Sequence, residues 1–99
     1  MRKGILEYIV LGIIDSGEVY GALIIERLKS GDLIVAEGTI YPLLSRLQKD
    51  GLIDYKWVES DLGHPRKYYN LTQEGKDALG VMEKNWQDIK SSVKKILNK

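Results

Sequence analysis

Apolar positions change their rhythm along the chain, and each change marks an element. From Arg2 to Ile14 the apolar residues Ile5, Leu6, Tyr8, Ile9, Val10, Leu11, Ile13 and Ile14 run almost all the way round a helical wheel. This predicts a first helix buried on more than one side, with more apolar surface than its own domain needs. Asp15-Ser16-Gly17-Glu18 reads as a turn. Tyr20 to Ser30 predicts a second helix, with Leu23, Ile24 and Leu28 on one face and Glu26, Arg27 and Lys29 outward. Gly31-Asp32 breaks it, and Leu33-Ile34-Val35 is expected to run briefly extended. A third helix falls within Ala36–Gly51, where Ile40, Leu43, Leu44 and Leu47 stand at i, i+3, i+4 and i+7. Pro42 is expected in its first turn, where no amide donor is missed, so the well-formed part starts from about Thr39. Gly51 supplies the stop.

Beyond Gly51 the period shortens. Leu52 to Glu59 is rich in strand formers and roughly alternates, Ser60 to Pro65 is turn chemistry, and Arg66 to Leu71 is a return strand. Of Tyr68 and Tyr69 one should face in and one out, and Trp57 is expected to pack within the hairpin or the core. Thr72 is placed to cap a last helix, with Glu74 near the positive end of its dipole. From there Leu79, Met82, Trp86, Ile89, Val93 and Ile96 follow spacings of 3, 4, 3, 4 and 3, a heptad seam running almost to the C-terminus. A helix of about 25 residues is ~37 Å long, more than so small a body can cover. Either it folds back on its own core or its stripe packs on a second chain, for which the surplus face of the first helix (Ile5, Ile9) is the natural mate. The expected architecture is mainly α with a small β-hairpin wing: a winged helix-turn-helix over 1–71 and a C-terminal dimerisation helix over 72–99.

Composition narrows what such a body can do. Ninety-nine residues suffice for one core. Cysteine is absent, which excludes thiolate metal sites and fits a reducing cytoplasm. One histidine and no acidic pair on an apolar face leave no nucleophile–base constellation, so neither catalysis nor a cofactor or metal is expected. The longest near-apolar run, Ile5 to Ile14, is far short of the ~20 residues a membrane span needs, and no cleavable signal pattern precedes it. A net charge of +1 argues against bulk attraction to nucleic acid, so any such function must rest on where the charges sit.

They sit suggestively. Opposite its apolar stripe the third helix carries Thr39, Tyr41, Ser45, Arg46 and Lys49, hydroxyls and cations with no carboxylate until Asp50. Such a face suits phosphates and base edges, although any amphipathic helix could show it, and Arg46 could instead pair with Asp50 at i+4. The hairpin's tip and return strand bear His64, Arg66 and Lys67, placed either for a flanking phosphate or as a solvated strand end.

Two blocks, EGTIYPLLSRLQKDGLI and GHPRKYYNLTQEGK, resemble the PadR family of winged-helix transcriptional regulators. The likeness spans the whole chain, and the single long helix after the wing is similar to the short-tailed branch that includes multidrug-sensing repressors. One departure stands out: Ala22 follows Gly21 where the family often has an aromatic. The resemblance implies a homodimeric repressor on inverted-repeat double-stranded DNA. Thr39, Tyr41, Pro42 and Ser45 would meet base edges or nearby phosphates, Arg46 and Lys49 would anchor phosphate, and His64, Arg66 and Lys67 would add the wing contact. The dimer interface would use Ile5, Ile9, Leu79, Met82, Trp86, Ile89, Val93 and Ile96. Trp86, with Met82 and Ile89, would either anchor that interface or flank an opening for a planar aromatic or hydrophobic effector. The competing function is a winged-helix module that docks proteins without reading DNA.

Overall fold

A computed structural model describes residues 4–61 and 63–98. The start of the first helix expected at Arg2 and the turn residue Leu62 lie outside them. In order come α1 (Ile5–Asp15), α2 (Gly21–Ser30), α3 (Glu37–Lys49), β1 (Ile53–Val58), β2 (Arg66–Leu71) and α4 (Gln73–Leu97). The core gathers Val10, Leu11 and Ile14 of α1, Ile24 and Leu28 of α2, Ile40, Leu44 and Leu47 of α3, and Ile53, Tyr69 and Leu71 of the hairpin. The 3.6-residue periods of three helices thus converge on one apolar centre, floored by the alternate positions of two strands.

The helix ends explain how the elements are aimed. At the close of α3 the amide of Gly51 donates to Gln48 O (3.0 Å) and that of Leu52 to Leu47 O (3.0 Å), with Gly51 left-handed at φ 79°. This is the Schellman arrangement expected of a glycine there. The end of α2 is built alike, Asp32 donating to Lys29 O and Leu33 to Leu28 O, but the left-handed residue is Asp32 (φ 66°), one position after the glycine. Leu33-Ile34-Val35 links α2 to α3 without joining the hairpin's ladder. Its first amide closes α2, and Ile34 is left 83% exposed.

The third helix departs from expectation at its start. It begins at Glu37, two residues before Thr39, so Pro42 stands in the second turn and not the first. The proline forfeits the amide that would have met Gly38 O. Gly38 and Pro42 are both exposed, so water can serve that carbonyl, and the helix runs on unbroken.

β1 and β2 pair antiparallel from Ile53↔Leu71 to Val58↔Arg66. A third piece of chain joins them: Val19 bridges to Tyr69, whose amide donates to Val19 O at 2.8 Å. Thr72 then links three elements. Its Oγ1 accepts from the Gly75 amide (3.0 Å) and donates to Gly51 O (2.7 Å), capping α4 and tying it to the end of α3.

Leu79 and Met82 pack partly buried against the core, and there α4 meets α1. Past them the seam is bare: Trp86, Ile89, Val93 and Ile96 are 38, 43, 47 and 76% exposed. The helix projects. The radius of gyration is 15.1 Å, against about 13 Å for a compact 100-residue domain. Among the described residues no helix is long and apolar enough to cross a membrane.

Candidate nucleic-acid interface

The face of α3 turned from the core presents Thr39, Tyr41, Pro42, Ser45, Arg46 and Lys49, all exposed. Beside it the wing leaves the body, and between them lies a groove of about 410 Å³. Tyr41 and Ser45 of α3 form one wall, Trp57, Arg66 and Lys67 of the wing the other, and Tyr20, Gly21 and Ala22 close one end. The groove therefore brings together four of the residues expected to meet DNA: Tyr41, Ser45, Arg66 and Lys67. Thr39, Pro42, Lys49 and the exposed His64 do not line it.

The two wing cations are held on aromatic rings. The Arg66 guanidinium lies 4.3 Å from the centre of the Tyr20 ring, which Tyr68 meets edge-on. Lys67 Nζ lies 4.3 Å from the Tyr55 ring centre and 5.7 Å from that of Trp57. Arg66, Lys67, Tyr20 and Tyr55 are half-buried, and contacts of this kind contribute about 0.5–1 kcal/mol where solvent reaches them. Their greater effect is to restrict two long side chains before any ligand arrives, which lowers the ordering cost of meeting a phosphate. At the wing tip Ser60 Oγ donates to His64 O at 2.8 Å.

Arg46 is directed differently. Its guanidinium makes an ion pair at 3.9 Å with Glu7 of α1, where the i+4 spacing had offered Asp50. Glu7 is buried to 4% exposure, so the pair links α3 to the first helix while the Arg46 side chain stays mostly open to solvent.

Gly21 opens α2 directly against the Tyr41 ring: a Cβ there would come within 2.5 Å of it. The absence of a side chain lets that ring lie against the start of α2. Ala22, where the resembled family often has an aromatic, adds only a methyl to the groove.

Tyr69 also lines the groove and is 6% exposed. Burial raises its phenol above the ordinary value of about 10, with Tyr41 and Tyr55 adding to the shift. A raised acid stabilises the fold fully below the unfolded-state value and loses that contribution as pH climbs through the folded one. The melting temperature of the wild-type chain should accordingly fall more steeply above pH ~10 than that of Tyr69→Phe. Parallel curves for the two proteins would contradict it.

A second hollow, about 390 Å³, opens between α1 and α4, with apolar walls from Tyr8, Ile9, Ile13 and Leu79 and a charged rim of Asp15, Arg27 and Glu83. Trp86 lies beyond it on the bare part of α4.

Sequence reasoning missed Glu7, Tyr20 and the exposed position of Trp57. Only Glu7 left a sign, as the single charge in an otherwise apolar run.

Residues 10–81 match the family described as transcriptional regulator PadR-like. The chain is similar to a PadR-like transcription factor from Bacteroides fragilis (48% identity, 97% of this chain and 93% of that one, TM-score 0.84). It is also similar to a PadR-like transcriptional regulator from Bacillus cereus (40% identity, 100% and 97%, TM-score 0.85). A third similar structure, Bacillus subtilis PadR in complex with operator DNA, shares 28% identity over 79% of this chain and 46% of that one, with a TM-score of 0.72.

Proposed function

The chain belongs to the PadR-like family of transcriptional regulators, and on that footing we propose that it acts as a homodimeric repressor binding inverted-repeat double-stranded DNA. The observation that carries the reading is the groove: the hydroxyls of α3 face two ring-braced wing cations across it. Thr39, Tyr41, Pro42 and Ser45 read or approach base edges, Lys49 and Arg46 meet phosphate at the helix end, and His64, Arg66 and Lys67 hold the flanking strand. Residues 1–71 supply this surface. Residues 72–99 join two copies so that paired α3 helices enter successive major grooves, about 34–36 Å apart. The similarity to Bacillus subtilis PadR, solved in complex with operator DNA, supports double-stranded DNA as the partner.

In the dimer the seam residues Ile5, Ile9, Leu79, Met82, Trp86, Ile89, Val93 and Ile96 meet, and a planar apolar effector stacks between paired Trp86 indoles beside Met82 and Ile89. Such a ligand releases DNA by favouring one opening angle of the dimer over the other.

A gel shift against the region upstream of the chain's own gene tests the reading, and repeating it with planar aromatic compounds tests release. Lys67→Ala should weaken binding to every sequence and reduce the slope of log affinity against log salt by about one. An unchanged slope removes Lys67 from the phosphate ligands; no shift at low salt removes the function.

A further inference from the structure

Trp57 stands on the same side of β1 as Ile53 and Tyr55, the side that faces the core. The three are progressively less covered: Ile53 is buried, Tyr55 half-buried, and Trp57 62% exposed. The hairpin runs out past the body, and its last inward-facing side chain hangs over the groove instead of the core. There the indole forms one wall opposite Tyr41 and Ser45. Tyr55 meets it edge-on at 6.1 Å, and its cross-strand neighbour is Lys67.

We propose that Trp57 is itself a DNA-contacting residue, its indole lying against a deoxyribose of the strand that passes between α3 and the wing. The inference rests on the DNA-binding reading above. A backbone strand alternates phosphate, sugar, phosphate, and the groove wall alternates in kind, with the Lys67 ammonium beside the Trp57 ring. The sugar is the apolar part of that repeat, and an indole left open to water at this point gains by covering it. Deoxyribose is the same in every sequence, so the contact adds affinity without specificity. It also involves no charge, so it leaves the salt dependence alone.

The test uses the full chain labelled with 5-fluorotryptophan, whose two tryptophans give two ¹⁹F resonances. Loss of one in Trp57→Phe assigns it. The probe is the shortest upstream duplex that shifts in the gel assay. Binding should abolish the H₂O/D₂O shift of the Trp57 resonance. Trp57→Ala should bind all duplexes about tenfold more weakly, equivalent to leaving roughly 60 Å² of apolar surface in water. Its salt slope should match the wild type, unlike that of Lys67→Ala. If the duplex binds while Trp57 keeps its full isotope shift and Trp57→Ala binds as tightly as wild type, the inference falls and the DNA reading stands. A Trp57 resonance already shielded in the DNA-free protein also overturns it, since protein would then be the cover. If no duplex binds, both fall together.

Discussion

Gly75→Ala should destabilise the fold by about 3 kcal/mol or more, a large share of the roughly 5–15 kcal/mol that holds a domain of this size together. Helix propensity alone points the other way. Gly75 lies inside α4, and alanine there would gain up to about 1 kcal/mol. Packing decides the sign. A Cβ on Gly75 would run into the carbonyl oxygen of Leu52 and crowd its carbonyl carbon and a Leu71 methyl. The oxygen cannot step aside, because it accepts the Thr72 amide at 3.1 Å while the neighbouring Gly51 carbonyl accepts the Thr72 hydroxyl. Relief would have to come from lifting the first turn of α4, breaking the Thr72 bonds that tie it to the end of α3. Urea unfolding of the two proteins gives the answer through the midpoint at constant slope. An alanine variant as stable as the wild type would mean that the start of α4 is not seated on Leu52 as described.

That contact was invisible in the sequence, and the reason separates the legible features from the rest. Periodicity reports what one element presents to an averaged core, and it was read correctly where the partner was that core, as at Ile40, Leu43, Leu44 and Leu47 of α3; for Tyr68 and Tyr69 it gave one inward and one outward, and the fold makes Tyr69 the inward one. Local stereochemistry was equally readable, since the roles of Gly51 and Thr72 depend on backbone geometry within a few residues. Features that need a second element at a particular distance were not. Val19 reaches the sheet through a single bridge, which has no period to detect. The Glu7 carboxylate and the Arg46 guanidinium are thirty-nine positions apart in the chain. Trp57 packs within the hairpin, one of the two places expected, but its exposure was not legible, because alternation says which side of a strand a residue takes and is silent on where the body beneath that side ends. Pro42 misled for a related reason: the rule against proline in a helix interior assumes a carbonyl that has lost its only partner, and at Gly38 the site is open to water. The groove shares this dependence on assembly. Its cations were legible as residue types, whereas the rings that hold them, Tyr20 and Tyr55, became their partners only when the hairpin closed on the start of α2.

Ile89→Asp with Val93→Asp should leave the winged body folded, turn the proposed dimer into a monomer, and reduce affinity for an inverted repeat by about 10²–10⁴. Both residues lie on the part of α4 that projects beyond the core, and nearly half of each side chain faces solvent. In a single chain their replacement therefore removes little. In the proposed dimer each contributes to a seam that continues from Met82 to Ile96, and burying an aliphatic side chain of this kind is worth roughly 1.5–3 kcal/mol. A carboxylate in its place adds the cost of an unpaired buried charge, repeated by symmetry in the second copy. The loss of DNA binding follows from geometry, because the substitutions are remote from Tyr41, Ser45 and Lys67. Two linked reading heads meet the second half-site at an effective concentration in the millimolar range, and separate chains forfeit that advantage while each keeps its contacts to one half-site. Sedimentation should give one chain at micromolar concentration, circular dichroism should show the helices retained, and gel shifts should find the residual affinity equal on a full repeat and on a single half-site. A variant that remains dimeric would place the interface elsewhere on the chain. One that becomes monomeric yet binds the full repeat undiminished would separate dimerisation from DNA recognition.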